Sequence, residues 1–478
     1  MSADLAERIE AGLREAPALG PARSGGGEGG AWIVGGAVRN AILGRAVTDI
    51  DVAVAGDAAA TARRIANEAS AHPFELSGEF ATWRVAAHDG SWALDVAELR
   101  GPGIEDDLRL RDFTLNAIAV PLAGGEPIDP TGGIGDLEAG SLRAASERAF
   151  TDDPLRILRA ARIASGLRLE IAAETAELAR RAAPHAADPA GERTFAELAA
   201  LVSGPDPVRG IELLDELGAT RVVLPELDGL RGVGQSANHH LDAHGHTIEV
   251  LRRALALETD LEGFDPDLAP ALAVALAEPL ADGLTRRDGL RFAALLHDIG
   301  KPATRQEQGE WVSFIGHDAV GADMVRDLFR RLRASRRLGD HVAAMTRDHL
   351  VLGFMVRDRP LPPRRVLEYL RRTGGQAIDT TLLTVADRLS AQGGGVPDAA
   401  IEGHVELARE MLAAAVELDR TGPPEPLLRG DEIAAETGIE PGPELGEAVL
   451  ELEAAQYAGE VSGRPEAVAH LRAWHSSR

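Results

Sequence analysis

The segment Ala31–Gly56 constrains the fold of this chain more than any other. Its pattern predicts a short buried strand, a glycine turn, a short helix and a second strand, in that order. Gly35 and Gly36 let the backbone approach an oxyanion, and the start of the following helix offers free N–H groups and a positive dipole. Arg39 adds a cation one turn into that helix. We therefore predict that this turn binds phosphate.

Two carboxylates follow on the second strand. Asp49 and Asp51 alternate with Ile50 and Val52, so both carboxylates are expected on one face of the strand. Paired carboxylates beside a phosphate site are what a Mg²⁺-dependent phosphoryl or nucleotidyl transfer requires. Taken separately, a glycine pair is usually a turn and Asp-x-Asp is usually a solvated strand end, but their order and spacing here favour catalysis.

The stretches GGAVRNAILGR and TDIDVAVAG in this segment resemble the signature of the bacterial tRNA nucleotidyltransferase / poly(A) polymerase family. The resemblance implies that Asp49 and Asp51 are catalytic Mg²⁺ ligands. It also implies an α+β fold, in which a polymerase beta-like mixed sheet with helices precedes all-α neck, HD and tail domains. Asn40 stands where the family has aspartate, so the family's carboxylate is missing at this position.

A third candidate catalytic carboxylate is Asp95. Strands are predicted over 74–85 and 92–99, and they would close a mixed sheet. In the second of these strands Asp95 shares a face with Ala93 and Ala97, which would place its carboxylate near the metal ligands. The alternative is a strand-edge aspartate that pairs with an arginine.

Residues 105–117, EDDLRLRDFTLNA, closely match the family's RRDFT-x-NA block. Helical spacing would place Asp112 and Asn116 on one face, with Arg109 one turn earlier. A guanidinium, an amide and a carboxylate on one face suit a nucleoside triphosphate. The resemblance assigns Arg111 and Asn116 to the triphosphate and Asp112 to the ribose. A structural network of the same groups is the alternative.

A strong helix is predicted from Thr151 onward. Asp153 and Arg156 are three residues apart, and they resemble the family's base-reading element, in which an acceptor and a donor pair with the edge of cytosine or adenine. Arg159 is a further candidate nucleotide-binding residue on this helix. The segment 191–198, GERTFAEL, resembles the helix that braces the base reader. An N-capping aspartate with an ordinary ion pair is the alternative.

The C-terminal half carries histidines and aspartates in an order that resembles the HD-type phosphohydrolase domain, including the specific stretch HDIGKP. An adjacent His-Asp pair, an earlier histidine and a later aspartate form a divalent metal site of nitrogen and oxygen ligands. We expect a divalent transition metal there, and the alternative is a domain that serves only as a scaffold. Matching the pattern position by position gives the ligands His246, His297, Asp298 and Asp387, with His317 and His349 as candidate ligands of a second metal.

The formal net charge of −26 argues against general affinity for nucleic acid, because phosphate contacts need cations. The chain has no cysteine, which excludes disulfides and thiolate metal sites. No apolar run approaches the length of a membrane span, so we expect a cytoplasmic protein without a membrane partner. The densest cationic runs are candidates for tRNA phosphates or, alternatively, faces balanced by nearby acids: Arg326, Arg330, Arg331, Arg333, Arg336, Arg337, Arg364, Arg365, Arg371 and Arg372.

The sequence predicts five segments along the chain. They are an N-terminal helix with a Gly-rich linker (1–30), a nucleotidyltransferase head (31–145), a helical neck with the base-reading helix (146–225), a metal-binding HD domain (226–395) and a helical tRNA-binding tail (396–478).

The predicted reaction is template-independent addition of C to the tRNA 3′ end from CTP, with release of pyrophosphate; addition of A from ATP stays an open alternative. We favour the addition of two cytidines because only a short connector, Arg100–Ile104, joins the Asp95 strand to the EDDL stretch. The resemblance associates a longer segment there with enzymes that build the whole CCA end. The rival functions are a poly(A) polymerase, a phosphohydrolase with an inactive transferase head, and a non-catalytic tRNA-binding protein.

Overall fold

The protein is described by a computed structural model, which covers residues 3–26, 30–77, 82–235, 240–308, 311–391 and 397–478. The chain divides into two compact units, Met1–Val223 and Leu224–Arg478. The first unit contains a mixed sheet with helices, and the second is helical apart from short two-stranded sheets. This architecture confirms the predicted α+β class with a helical C-terminal part.

The sheet of the first unit consists of β1 (Ala31–Val34), β2 (Ile50–Val54), β3 (His72–Ser77), β4 (Thr82–Ala86), β5 (Ala93–Glu98) and β6 (Ala119–Pro121). The strands lie side by side in the order β3-β4-β5-β2-β1-β6. β2 and β5 run parallel and place Asp51 opposite Asp95, whereas the other neighbouring pairs are antiparallel. The strand predicted over 74–85 is therefore the hairpin formed by β3 and β4.

Helices α3 (Gly36–Ile42) and α4 (Ala58–Ala69) pack on this sheet, and further helices follow it along the chain. Asp57 caps α4 by accepting a hydrogen bond from the backbone N–H of Ala60 at 2.9 Å, as an N-cap aspartate does. The helices of the first unit are α1 (Ala3–Arg14), α2 (Leu19–Gly25), α3 (Gly36–Ile42), α4 (Ala58–Ala69), α5 (Ile104–Arg109), α6 (Gly133–Glu138), α7 (Ala149–Asp152), α8 (Arg156–Leu167), α9 (Ala173–Ala182), α10 (Gly191–Val202), α11 (Pro207–Glu216) and α12 (Thr220–Val223), with 3₁₀ turns at Thr114–Asn116 and Ala183–His185 and a parallel pair of short strands, β7 (Ser141–Leu142) and β8 (Glu170–Ile171).

The N-terminal segment forms two helices, where the sequence predicted one helix and a flexible loop. α1 packs on α3, and α2 packs on α4. The last residue of the second helix, Gly25, has to be glycine because a Cβ there would collide with the backbone of Ile65 on α4. Arg23 ties the two helices together through hydrogen bonds to Glu10 at 2.7 Å. The glycines here allow close packing as well as chain reversal.

The second unit is built around α14, α17, α20 and α23, which pack against one another. Its helices are α13 (Pro225–Asp228), α14 (Ala243–Thr259), α15 (Leu261–Phe264), α16 (Ala269–Ala277), α17 (Arg286–Leu296), α18 (Lys301–Thr304), α19 (His317–Arg331), α20 (Arg336–Asp348), α21 (Val351–Met355), α22 (Pro363–Thr373), α23 (Ala377–Ser390), α24 (Asp398–Thr421), α25 (Gly430–Thr437), α26 (Pro443–Tyr457) and α27 (Arg464–Ser476). The short strands are β9 (Pro279–Ala281), β10 (Leu284–Thr285), β11 (Gln306–Gln308) and β12 (Trp311–Ser313), with 3₁₀ turns at Val356–Asp358 and Gly374–Gln376.

The last three helices, α25 to α27, enclose an apolar core of their own, which includes Leu428, Ile433, Leu452 and Leu471. Within the part of the chain that the structure describes, no helix combines the length and the apolar character needed to cross a membrane.

Two candidate active sites

A cleft of about 420 Å³ opens at the turn between β1 and α3. Gly35 forms this turn with a φ of 73°, in the left-handed region that side chains disfavour. A Cβ there would lie 3.3 Å from the Asp51 carboxylate and 3.4 Å from the Arg111 guanidinium, so glycine leaves room for both groups beside the backbone. The charged residues around the cleft are Asp49, Asp51, Asp112, Arg39, Arg100, Arg111, Arg156, Arg159 and Arg162, and Gly36 and Asn116 also line it.

The structure places the two sequence-predicted metal ligands, Asp49 and Asp51, in this cleft. Asp51 also lines a smaller adjoining cavity together with Asp95, which lies directly opposite it on β5. Burial of the carboxylate, together with the negative charges of Asp95 and Asp49, raises the pKa of Asp51 to about 6, although the side chain stays open to the cleft. Three oxygen-donor groups crowded in this way fit a hard divalent cation such as Mg²⁺.

Asp95 has a second partner. Arg84 donates two hydrogen bonds to its carboxylate, from Nε at 2.7 Å and from Nη2 at 2.8 Å. The geometry therefore agrees with both interpretations of Asp95: it lies beside Asp51, as a third catalytic carboxylate would, and it also pairs with an arginine.

The guanidinium of Arg39 is held at the glycine turn by two amide oxygens. It donates to Oδ1 of Asn116 at 2.8 Å and to Oδ1 of Asn40 at 3.0 and 3.2 Å. Burial is the main reason that the pKa of Arg39 is lowered, and the nearby cation of Arg162 adds to the effect. Asn40, the departure from the family pattern, therefore orients a cation here without neutralising its charge.

Arg111 and Arg100 share one buried carboxylate, that of Asp107. Arg111 donates to its Oδ2 at 2.9 and 3.0 Å, and Arg100 donates to its Oδ1 at 3.0 Å. Burial alone would raise the pKa of Asp107, but the two arginines outweigh it and the pKa is lowered. Sequence reasoning missed Arg100 as a residue of this cleft and Asp107 as the carboxylate that holds it, although the acidic run EDD ends one turn before Arg111.

The predicted helical face carrying Arg109 is wrong. Helix α5 ends at Arg109, whose exposed side chain pairs with Glu105 at 3.0 Å, away from the cleft. Asp112 and Asn116 nevertheless meet, because a 3₁₀ turn over 114–116 brings the amide of Asn116 within 3.0 Å of the carboxylate.

Asp112 is anchored from two further directions. Its Oδ1 accepts from the backbone N–H of Phe113 at 2.8 Å, and its Oδ2 accepts from Arg159 at 3.2 Å. Arg159 in turn pairs with Glu197 on α10 at 2.9 Å, and the other Glu197 oxygen accepts from Arg162 at 2.7 Å. The segment 191–198 thus braces α8, as the sequence interpretation expects, while Glu197 and Arg162 were not singled out as site residues.

The two residues predicted to read the base, Asp153 and Arg156, lie where the helix is broken. α7 ends at Asp152, Asp153 is extended, and α8 begins at Arg156, so the continuous helix predicted from Thr151 is wrong. The Asp153 carboxylate accepts from Arg193 at 2.8 Å, whereas Arg156 donates to the carbonyl oxygens of Ala149 and Leu110 at 3.1 and 3.3 Å. Arg156 lines the cleft, and Asp153 is not among its lining residues.

The second unit contains a separate site of buried histidines and aspartates. Two groups of three side chains hold their ligand atoms within 4.8 Å of one another: one comprises His246, His297 and Asp387, and the other Asp298, His317 and His349. The four ligands predicted from the sequence, and the two candidates for a second metal, therefore lie in one cluster. His239, part of the earlier histidine-rich stretch, lies outside the described residues.

Three of these histidines are oriented in the same way. Nδ1 of His297, His317 and His349 each donates to the carbonyl oxygen three residues earlier, at 3.0, 2.7 and 2.6 Å. This bond fixes the tautomer and leaves the Nε2 lone pair directed into the cluster, as in ligating histidines. Burial lowers the pKa of His349 to about 4, so its ring is neutral at physiological pH.

A cavity of about 450 Å³ opens onto this cluster. Lys301 lies at its floor and donates to Asp298 at 2.6 Å and to Gln235 at 2.5 Å. Two highly exposed apolar side chains, Ile315 and Phe354, stand at its walls. Nitrogen and carboxylate donors without sulfur fit a first-row divalent ion, and the open cavity leaves access for water and a phosphate ester.

The arginine runs of the second unit are largely balanced by acids. Arg326 and Arg336 share Asp340, and Arg364 pairs with Glu451 and Glu460. The remaining pairs are Arg330 with Asp327, Arg331 with Glu226, Arg365 with Glu368, Arg371 with Glu453 and Arg372 with Asp348. The alternative of acid-balanced faces therefore describes at least eight of these ten arginines.

Family descriptions match three parts of the chain. "Poly A polymerase head domain" matches residues 31–103 and 75–143, "Probable RNA and SrmB- binding site of polymerase A" matches 168–230, and "HD domain" matches 244–392. Both candidate sites lie largely within these matches.

Two curated relatives are similar over almost the whole chain. The A-adding tRNA nucleotidyltransferase of Deinococcus radiodurans is 36% identical over 452 residues, which cover 93% of this chain and 95% of that protein. The CC-adding tRNA nucleotidyltransferase of Thermus thermophilus is 34% identical over 459 residues, 94% of each chain.

A solved structure, the apo form I of a CCA-adding enzyme, shares the fold with a TM-score of 0.65 at 19% identity and covers 98% of this chain and 96% of that one. Structures of CCA-adding enzymes with CTP and with tRNA share the fold as well, with TM-scores of 0.63 and 0.61. The length of the matches and the identity of the relatives lead to one conclusion: this chain belongs to the tRNA nucleotidyltransferase / poly(A) polymerase family and carries an HD domain.

Proposed function

We propose that this chain adds C to the 3′ end of tRNA without a template, from CTP, with release of pyrophosphate; addition of A from ATP is the alternative. The observation that carries the proposal is the cleft at Gly35, where carboxylates that fit Mg²⁺ face a group of arginines. The names of the relatives, A-adding and CC-adding tRNA nucleotidyltransferases, support the substrate. The segments 31–145, 146–225, 226–395 and 396–478 are then proposed as head, neck, HD domain and tail.

In the proposed reaction the tRNA 3′-hydroxyl attacks the α-phosphate of the nucleotide and pyrophosphate leaves. Asp49 and Asp51, with Asp95 beside them, would hold Mg²⁺, which when bound lowers the pKa of the hydroxyl and offsets charge on the phosphates. Arg39 and Arg111, both oriented by hydrogen bonds, face the place where the triphosphate charge accumulates. Asn116, which bonds to Arg39 and to Asp112, couples the triphosphate side of the cleft to the proposed ribose side.

We propose that Arg156 and Asp153 select the base. Arg156 is pre-oriented at the cleft by backbone carbonyls, which leaves its charge available for a carbonyl of the incoming base. Asp153 is fixed by Arg193 at the start of α8. A donor and an acceptor held by the protein would take the place of a template strand.

The test is extension of tRNA that lacks its 3′ end, with CTP, ATP or both, resolved on a gel. Incorporation of CTP alone is expected, in line with the short connector Arg100–Ile104, whose arginine is tied to Asp107. Asp49→Ala and Asp51→Ala should abolish extension. Asp89→Ala, at an exposed turn, is the matched control and should extend normally. Normal extension by the double Asp49/Asp51 variant would contradict the metal assignment.

The nucleotide pattern decides between the variants of this proposal. Addition of ATP only, after a preformed CC end, would overturn the argument from the connector and leave the transferase assignment intact. Long A tails on an unrelated RNA would instead identify a poly(A) polymerase.

We propose a second activity for the HD cluster, divalent-metal-dependent hydrolysis of phosphate esters. It is supported by the buried nitrogen and oxygen donors around a cavity that also contains Lys301. Release of phosphate in the presence of Mn²⁺ or Ni²⁺, lost in His297→Ala, would support it. The same variant should extend tRNA normally, because the two sites use different residues.

A further inference from the structure

One row of side chains crosses the sheet of the first unit from the proposed Mg²⁺ ligands to the edge. Asp51 on β2 lies opposite Asp95 on β5, and Asp95 lies opposite Arg84 on β4. Arg84 in turn lies opposite Phe74 on the edge strand β3. Opposite residues of neighbouring strands project from the same face, so Phe74 shares the face of the carboxylates. We propose, on the basis of the proposed function, that this face binds the unpaired 3′ end of the tRNA, with a base stacked on Phe74 and a phosphate at Arg84.

The two faces of these strands differ in what covers them. Val85 and Val96 are fully buried on one face, where α4 packs on β4 and β5. On the other face, the side chains around Arg84 and Asp95 are small and only partly buried: Ala86, Ala93 and Ala97. Small side chains leave a shallow surface that runs from the edge of the sheet to the carboxylates. A single strand of RNA fits such a surface.

Phe74 is an exposed aromatic residue at the end of this row. Its side chain belongs to a residue that is 40% exposed, and its ring lies 6.1 Å from that of His72, two residues earlier on the same face. Exposed aromatic rings on a sheet are a common means of stacking the bases of single-stranded RNA. Neighbouring strands are about 4.8 Å apart, so Phe74 and Asp51 are separated by about 14 Å, a distance that a few unpaired nucleotides span.

Arg84 lies between the aromatic residue and the carboxylates. It binds Asp95 through Nε and Nη2, and 41% of its side chain stays exposed. Nη1 takes no part in that pair and can donate to a phosphate of the RNA. Arg84 would then connect the RNA backbone to the carboxylate next to the reacting 3′-hydroxyl.

A second copy of this chain is the competing occupant, because β3 is an edge strand and an edge can pair with another strand. Pro73 lies within β3 and removes one backbone donor, which weakens such pairing. Pairing would also use the edge of the sheet, whereas the exposed groups of Phe74 and Arg84 lie on its face. That face continues into the proposed catalytic site, and its cation complements a phosphate. Both observations favour RNA.

The test is equilibrium binding of fluorescently labelled tRNA that lacks its 3′ end to the full-length chain, without CTP. Phe74→Ala should raise the Kd about five- to tenfold, because one stacked base is lost, and Phe74→Trp should restore it. Phe74→Leu keeps an apolar side chain without a ring and should bind as weakly as Phe74→Ala. The matched control is Glu75→Ala, an exposed residue of the same strand on the opposite face, which should leave the Kd unchanged.

Two further measurements locate the RNA on this face. A tRNA with an abasic residue at one of its last unpaired positions should bind the wild-type chain about as weakly as Phe74→Ala binds the intact RNA, and combining the two changes should cause no further loss. Arg84→Gln should reduce the slope of log Kd against log salt concentration by about 0.7, the value for one phosphate of a single strand.

An unchanged Kd in Phe74→Ala, or an equal loss in Glu75→Ala, would overturn the proposal. A dimer in sedimentation that Phe74→Ala dissociates would overturn it as well and would identify a second copy as the occupant. Because binding is measured without catalysis, a weakened Phe74→Ala together with a wild-type chain that extends no tRNA would refute only the proposed function. Where extension occurs, Phe74→Ala should raise the KM for tRNA, and a rise in the KM for CTP alone would contradict the assignment.

Discussion

Nucleotide addition should fail in acid because Asp51 takes up a proton before an ordinary aspartate does. With a pKa of about 6 instead of 3.8, about 99% of Asp51 is ionised at pH 8, about 50% at pH 6 and about 9% at pH 5. An unperturbed aspartate would still be about 94% ionised at pH 5. A carboxylate must be ionised to bind Mg²⁺, so the rate should fall about tenfold between pH 7 and pH 5 when Mg²⁺ is scarce.

The cause of the raised pKa predicts how Mg²⁺ changes this profile. Burial and the charges of Asp95 and Asp49 disfavour the ionised form of Asp51, whereas Arg111 favours it. Mg²⁺ and the proton compete for the same oxygens, so a higher Mg²⁺ concentration should move the acid limb of the profile to lower pH. An acid limb set by the stability of the fold would not move in that way.

The assay measures initial rates of CTP addition to tRNA from pH 5 to pH 8 at constant ionic strength, at one Mg²⁺ concentration well below saturation and one well above it. Thermal unfolding at each pH serves as the control for loss of the folded state. A rate that stays constant down to pH 5 at low Mg²⁺ would refute the reasoning, as would an acid limb that ignores the Mg²⁺ concentration.

Three substitutions test the surroundings of this site. The folded state disfavours ionised Asp51, so the ionised carboxylate destabilises the fold above pH 6 and the protonated one does not below pH 3.8. Asp51→Asn should therefore raise the free energy of unfolding by roughly 1 kcal/mol at pH 8, a value reduced because water in the cleft screens the charge. Thermal unfolding should show no change in stability at pH 3.5. Glu197→Gln removes the charge that faces two partly buried arginines, so it should lower the free energy of unfolding by about 2 kcal/mol and raise the KM for CTP. The control Glu216→Gln, at an exposed ion pair, should lower the free energy of unfolding by less than about 0.5 kcal/mol. Asn40→Ala should raise the KM for CTP about three- to tenfold with little change in kcat, because Arg39 loses two hydrogen bonds, and Asn40→Asp should restore the KM; equal loss in both variants would show that the amide does more than orient Arg39.

The elements around the glycine turn were predictable because local rules determine them. The apolar run before Gly35 and the alternation around Asp51 each admit one secondary structure, and the strands formed close to the expected bounds. The sequence also predicted that Asp95 would lie near Asp51, since both residues lie on strands with alternating apolar side chains. It did not predict the strand register that places the two residues directly opposite each other.

The errors arose where the chain leaves regular structure. Helical spacing from Arg109 to Asn116 fails because α5 ends at Arg109, and Asp112 meets Asn116 through a 3₁₀ turn. The helix predicted from Thr151 fails because Asp153 is extended and pairs with a distant arginine. Local backbone geometry decides both cases, a 3₁₀ turn in the first and the proline after Asp153 in the second, and apolar periodicity does not reveal it.

The predicted metal ligands of the HD cluster show the opposite case. His246 and Asp387 are more than a hundred residues apart, yet their side chains lie 2.9 Å from each other, and only the resemblance to a known pattern placed them together. The position of Asp298 close to histidines of both groups, by contrast, is visible only in the structure. The sequence pattern predicted which side chains lie together, and the structure added their arrangement.

Most of the arginines in the cationic runs of the second unit pair with carboxylates, so RNA phosphates have to compete with these carboxylates for the guanidinium groups. A phosphate that reaches the guanidinium of Arg364, for example, has to displace Glu451 and Glu460, so the contact exchanges one ion pair for another and releases few counterions. A flexible RNA gains little binding free energy from such an exchange at a single arginine. A rigid RNA that places many phosphates against these arginines at once adds the small binding free energies of all the exchanges. These faces would then select RNAs by their three-dimensional shape, because the carboxylates weaken the binding of RNAs that do not match it.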